Sequence, residues 1–148
     1  SVRIISSCNL SDIILTENFM DKVTDIIEQY PDDVLQFFSM RKADLEVGTR
    51  WENGSTWLMN QCHYLPAGMA GEIHKFGLNW AGLEDAPTAD DLLMRDYFKT
   101  NKIKYQIIVP NLVDHAQVYS AINRKRSRFR NSKTFVNPNL EAFPVGIT

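Results

Sequence analysis

Apolar positions along this chain switch between two periods, and each switch marks an element. Val2 to Ser6 is a short β-branched run suited to a buried first strand. After Thr16, the residues Phe19, Val23, Ile26 and Ile27 recur at three- and four-residue spacings among charges, which predicts an amphipathic helix closed by Tyr30-Pro31. Two or three strands follow, over 34–42, 55–64 and, as the third, 44–51. Glu52-Asn53-Gly54 reads as a hairpin turn between them, giving an antiparallel meander. The loop Leu65-Pro66-Ala67-Gly68 leads to a further expected strand at 71–77. Thr88-Ala89-Asp90-Asp91 then opens a second helix through Thr100: Thr88 is an N-cap type, Asp91 stands where a capping box places its acid, and both aspartates suit the positive end of the helix dipole. Leu92, Leu93, Tyr97 and Phe98 supply its apolar face. Residues 104–110 form a strand pattern ended by proline, and 116–122 a last one. The order β-α-β-β-β-β-α-β-β predicts an α/β (α+β) fold, a mostly antiparallel sheet flanked by two helices.

Composition makes this one body. The chain has 148 residues, 44% hydrophobic and 23% charged, the balance of a globular protein. No apolar run approaches the roughly eighteen residues a membrane span needs, and the opening lacks the basic and long apolar regions of a signal peptide. Cys8 and Cys62 fall in apolar strand-like stretches and read as buried thiols, which points to a reducing, cytoplasmic setting. Neither an internal repeat nor a Walker loop or dinucleotide fingerprint is present.

Charge divides the chain in two. Residues 123–148 carry six basic side chains against one glutamate, +5, whereas the remaining ten basic and seventeen acidic side chains leave −7. The division predicts an acidic domain over 1–122 and a basic, extended C-terminal arm over 123–148.

Side chains suited to metal binding or proton transfer gather between 62 and 91: Cys62, His63, Glu72, His74, Glu84, Asp85, Asp90 and Asp91. A hairpin between the strands expected at 55–64 and 71–77 would set His63 opposite Glu72 and Gln61 opposite His74, and a one-residue slip would bring Cys62 there instead. Packed, hydrogen-bonded strand histidines and simple helix capping by Asp90 and Asp91 account for the same residues without any metal.

The order Gly-x-Ile-His at 71–74, Thr-x-x-Asp at 88–91 and the strand Tyr-Gln-Ile-Ile-Val-Pro at 105–110 resembles the JAB/MPN domain, the fold of the JAMM metalloproteases. The resemblance covers 71–110 and extends to the helix after Thr16. It implies His74 and Asp91 as zinc ligands and Thr88 at the position of the motif serine, beside the oxyanion. The chain departs from the motif at Phe76 and Gly77, which replace its second histidine and proline, in the longer gap from His74 to Asp91, and in lacking the upstream glutamate. His63 or Glu72 would have to complete the site, Glu72 doubling as a candidate catalytic carboxylate. The resemblance therefore implies a non-catalytic assembly module without a cofactor, of the kind found among metal-free members in large complexes and phage particles. A zinc-dependent peptidase or isopeptidase with substituted ligands is the alternative.

Arg124, Lys125, Arg126, Arg128, Phe129, Arg130 and Lys133 make the arm a candidate binding element, for acidic protein or, as a further alternative, for nucleic acid through phosphate neutralisation and stacking on Phe129. Phe135, Val136, Leu140, Phe143, Val145 and Ile147 follow without helical period. Such a segment suits an extended path across a surface, the protein's own or a partner's, including strand addition at a sheet edge. The expected partners are proteins of a larger assembly, in the cytoplasm or in a virus particle, with the chain as a subunit of an oligomer or complex.

Overall fold

The centre of the fold is β3 (Val34–Gln36), whose three residues are all buried. A strand covered on both faces buries consecutive residues rather than alternate ones, and the one polar member, Gln36, donates through Nε2 to Leu58 O at 2.7 Å. The structure is a computed structural model that describes residues 7–8, 13–58, 61–80, 90–115 and 131–136. Around β3 stands a five-stranded sheet in the order β1 (Ser7–Cys8), β5 (Cys62–Tyr64), β3, β6 (Lys104–Ile107), β4 (Arg50–Asn53). β3 and β6 run parallel, and the other three neighbouring pairs are antiparallel. A second, two-stranded antiparallel sheet joins β2 (Ile13–Leu15) to β7 (Val113–His115). The described residues also form four helices, α1 (Phe19–Gln29), α2 (Ala43–Val47), α3 (Met69–Leu78) and α4 (Asp90–Thr100), and a 3-10 turn at Gly54–Thr56. The class is α+β. No helix among the described residues is long and apolar enough to cross a membrane.

Alternation along the strands separates two cores. Leu35, Cys62 and Tyr64 join Phe19, Val23 and Ile27 of α1, together with Phe37, Phe38, Leu112 and Val113. Val34, Tyr105 and Ile107 join Trp57, with Ile73 of α3 and Met94 and Phe98 of α4. Trp57 is fully buried and meets Phe98, Tyr105 and His63 edge-on, with ring centres 5.0, 4.9 and 5.5 Å apart.

α1 and its stop follow the expected pattern. The helix starts at Phe19, just after Asn18 in the left-handed region, and Tyr30 closes it by donating its N–H to Ile26 O and Ile27 O. α4 carries Asp90 and Asp91 in its first turn. β6 is shorter than the expected 104–110, and the strand expected at 116–122 lies outside the described residues, as does the one at 2–6.

Three expectations are corrected. First, 71–77 is helical. Met69, Ile73 and Phe76 stand four and three residues apart, on one face of a helix but on both faces of a strand. That single face packs on α4, with Phe76 edge-on to Tyr97 at 5.6 Å and Gly77 against Leu93. Second, the meander is replaced by the crossed strand order. Asn53-Gly54 makes no hairpin: Asn53 Oδ1 accepts the Ser55 N–H at 3.0 Å and starts the 3-10 turn that delivers Trp57 to the core. Third, 34–42 is a strand only to Gln36, and 44–51 divides at Gly48 (φ 76°) into α2 and β4. The sheet is thus flanked by more than the two helices expected.

Gly54 sits where a Cβ would collide with Ile103 O and Phe98 Cβ, while Gly71 in α3 has open space around it. Gly54→Ala is expected to lower stability by about 2–3 kcal/mol, and Gly71→Ala to raise it by about 0.5–1 kcal/mol through helix propensity. Urea unfolding of the two variants checks both signs.

Candidate interaction site

Burying a polar side chain is costly unless its hydrogen bonds are made, so a buried, fully bonded asparagine marks a junction. Asn111 is 1% exposed and follows the cis peptide bond Val109-Pro110. Its Oδ1 accepts the Ser39 N–H at 3.0 Å and the Ser132 hydroxyl at 2.6 Å, and its Nδ2 donates to Ile108 O at 2.9 Å. The Asn111 N–H donates to Thr134 Oγ1 at 2.9 Å. One residue therefore joins the chain after β3, the exit of β6 and the segment 131–136.

Asp114, on β7, fastens the other end of that segment. Its Oδ1 accepts the Ser132 N–H at 2.8 Å, and Asn131 Nδ2 lies 3.3 Å from Oδ2 and from His115 O. Ser132 Oγ in turn accepts the N–H groups of Thr134 and Phe135 at 3.1 and 3.0 Å, a local turn that holds the segment in shape. Phe135 is half-buried, Lys133 is exposed, and Val136 is 45% exposed. Val136 lines a cleft of about 440 Å³ with Ile26 and Lys22 of α1, Glu17, and the Val109-Pro110-Asn111-Leu112 turn. Apolar walls with a few charges at the mouth suit an apolar side chain from an extended peptide.

The residues expected to bind metal are distributed differently. His63 in β5 stands opposite Ser7 and Gln36, so the hairpin pairing with Glu72 does not form. His74 and Glu72 lie on exposed positions of α3, where Glu72 meets Lys75 at 3.5 Å. Asp91 Oδ1 accepts the N–H of its neighbour Leu92 at 3.0 Å. Thr88 lies outside the described residues, as do Arg124, Lys125, Arg126, Arg128, Phe129, Arg130 and Phe143. Among the described residues no group of three or more His, Cys, Asp or Glu side chains could hold a metal ion. Cys62 is buried, and its Cα partner across the ladder is Cys8.

Compared with family models, with curated proteins and with solved structures, the chain matches none. Sequence reasoning missed Asn111, Asp114, Ser132 and Thr134. The one visible signal was an asparagine set between a buried strand and Leu112-Val113; its partner lies 21 residues away and carries no local pattern.

His63 is 2% exposed beside Trp57, and its Nδ1 finds no hydrogen-bond partner among the described residues. Burial lowers its pKa from 6.5 to about 4. The unfolded chain therefore binds the extra proton between these values, so the neutral-histidine contribution is complete above pH 6.5 and is lost as pH falls toward 4, at a cost of about 3 kcal/mol. Urea midpoints of the native protein and His63→Gln are expected to converge below pH 6.5, because the variant lacks this term. For the junction, Asn111→Ala and Ser132→Ala should each cost about 1–3 kcal/mol. Their double mutant should cost less than the sum by at least about 0.5 kcal/mol, measured in one unfolding cycle.

Proposed function

We propose that this protein is a non-catalytic assembly module, a JAB/MPN-like body that takes its place in a larger protein complex through its surface and its C-terminal arm. The observation that carries the reading is the fastening of residues 131–136 to Asn111 and Asp114. In sequence this hexapeptide stands between the basic stretch 124–130 and the apolar stretch 140–147. An anchor at that position gives both stretches a fixed point on the body, which lowers the entropic cost of presenting them to a partner. The acidic body and basic arm also favour contacts between unlike surfaces of neighbouring subunits.

Zinc chemistry receives less support. The resemblance to JAB/MPN domains keeps Asp91 at a helix start and the strand after α4, but Gly71 to His74 are helical instead of ending a strand. His74 and Asp91 are thus left without a third ligand among the described residues.

Two measurements test the proposal together. Tagged protein purified from its native source is expected to bring down stoichiometric protein partners. Full-length protein with Arg124, Lys125, Arg126, Arg128 and Arg130 all replaced by glutamine is expected to lose at least about 90% of them, a tenfold weakening. Metal analysis is expected to find no stoichiometric zinc. One zinc per chain, lost in His74→Ala or Asp91→Ala together with peptide-bond hydrolysis, would overturn the module reading in favour of a peptidase. Recovery of nucleic acid in place of protein, with steep salt dependence, would overturn it in favour of phosphate binding by the arm.

A further inference from the structure

We infer that the outer edge of β4 is a self-association surface whose occupant is a second copy of this chain, paired antiparallel about Trp51; this deepens the assembly reading and rests on it. Among the described residues β4 is the last strand of the five-stranded sheet. Edge strands expose unpaired N–H and C=O groups, and proteins usually blunt them with proline, inward charge or a bulge. Here Trp51, at 51% exposure, stands in the middle of the edge, with Leu45 and Val47 at 67% and 61% just before it.

Ladder parity settles which backbone groups face outward. Gly54 N–H donates to Ile103 O, and the register pairs Glu52 with Tyr105 and Arg50 with Ile107. In an antiparallel ladder the bonded pairs alternate, so Glu52 and Arg50 turn their N–H and C=O toward β6. Ile108 N–H, of opposite parity on the same chain run, bonds Gln36 O of β3, as this alternation requires. Trp51 therefore points both of its backbone groups away from the sheet.

A two-fold axis at Trp51 makes this edge complementary to itself. Each Trp51 N–H would donate to the Trp51 carbonyl of the second copy, and the two indoles would form a cross-strand pair on one face. On the other face, Arg50 would stand opposite Glu52 of the second copy, and Glu52 opposite Arg50. Any other centre within β4 loses this charge match: centring on Arg50 or Glu52 sets like charges opposite each other. The edge is also held in shape. Arg50 Nη2 lies 2.9 Å from the buried Asp44 carboxylate, and Arg50 Nε 2.9 Å from Glu52 Oε1, which ties α2 to β4. Pairing would join two five-stranded sheets into one continuous sheet.

Sedimentation velocity over a concentration series tests this on the full-length protein. A reversible dimer is expected. Trp51→Pro removes an outward N–H without breaking a bond to β6, and should weaken the dimer by about a hundredfold or more, since the axis deletes two hydrogen bonds at once. Trp51→Glu, which keeps the backbone donor but sets two carboxylates together, should weaken it as well, with circular dichroism confirming that each variant is folded. A monomer at every concentration, or a dimer indifferent to both substitutions, would overturn the inference. The arm-neutralised protein separates it from the broader reading: dimerisation lost there but kept in both Trp51 variants would place self-association in the arm and contradict pairing through β4.

Discussion

The placing of residues 131–136 on the sheet depends on the requirement that Asn111, buried beside Pro110, satisfy its polar atoms. It does so with Ser39, Ile108, Ser132 and Thr134, four partners drawn from three separate parts of the chain. Removing the Asn111 side chain would leave the buried Ser39 N–H without its acceptor, which costs more than the bond itself contributes. The three segments are thereby fixed relative to one another, and residues 131–136 are fixed with them. The cleft lined by Val136 and α1 exists because this junction holds its two walls in place.

The sheet provides the rigid support beneath that junction. Because β3 and β6 run parallel at its centre, the chain after each strand emerges at the same end. That is where Ser39 and Asn111 meet. α1 covers one face and α3 and α4 the other, with Trp57 wedged between the second helix pair and the strands. The opposite consequence of the same topology is that β4 is left at an edge, carrying an exposed tryptophan and a charge pair that matches itself in reverse.

Much of the architecture was legible from period alone. Phe19, Val23 and Ile27 announced α1 and are its buried residues, and the aspartates at 90 and 91 marked the start of α4. The error at 71–77 has a physical origin. Seven residues bounded by glycines look like a strand between turns, and the helical spacing appears only when Met69 is counted with Ile73 and Phe76. The stabilising contact, α4, lies outside that window. The meander failed for a related reason: Asn53-Gly54 has the composition of a hairpin turn, but the need to bury Trp57 draws the chain inward there. The candidate site was less legible still. Local sequence flagged histidines and carboxylates by their chemistry, while the residues that build the junction are small and polar and gain meaning only through contacts between segments distant in the chain.

Residues 131–136 are a fixed part of the body, held by Asn111 and Asp114. Amide hydrogen exchange on the full-length protein tests it most directly. Slow exchange is expected at Asn111, Ser132, Thr134 and Phe135, with the last three released together in Asp114→Ala while the amides of β3 and β6 stay protected. Exchange at Ser132, Thr134 and Phe135 as fast as in an unfolded peptide, in the native protein itself, would contradict it.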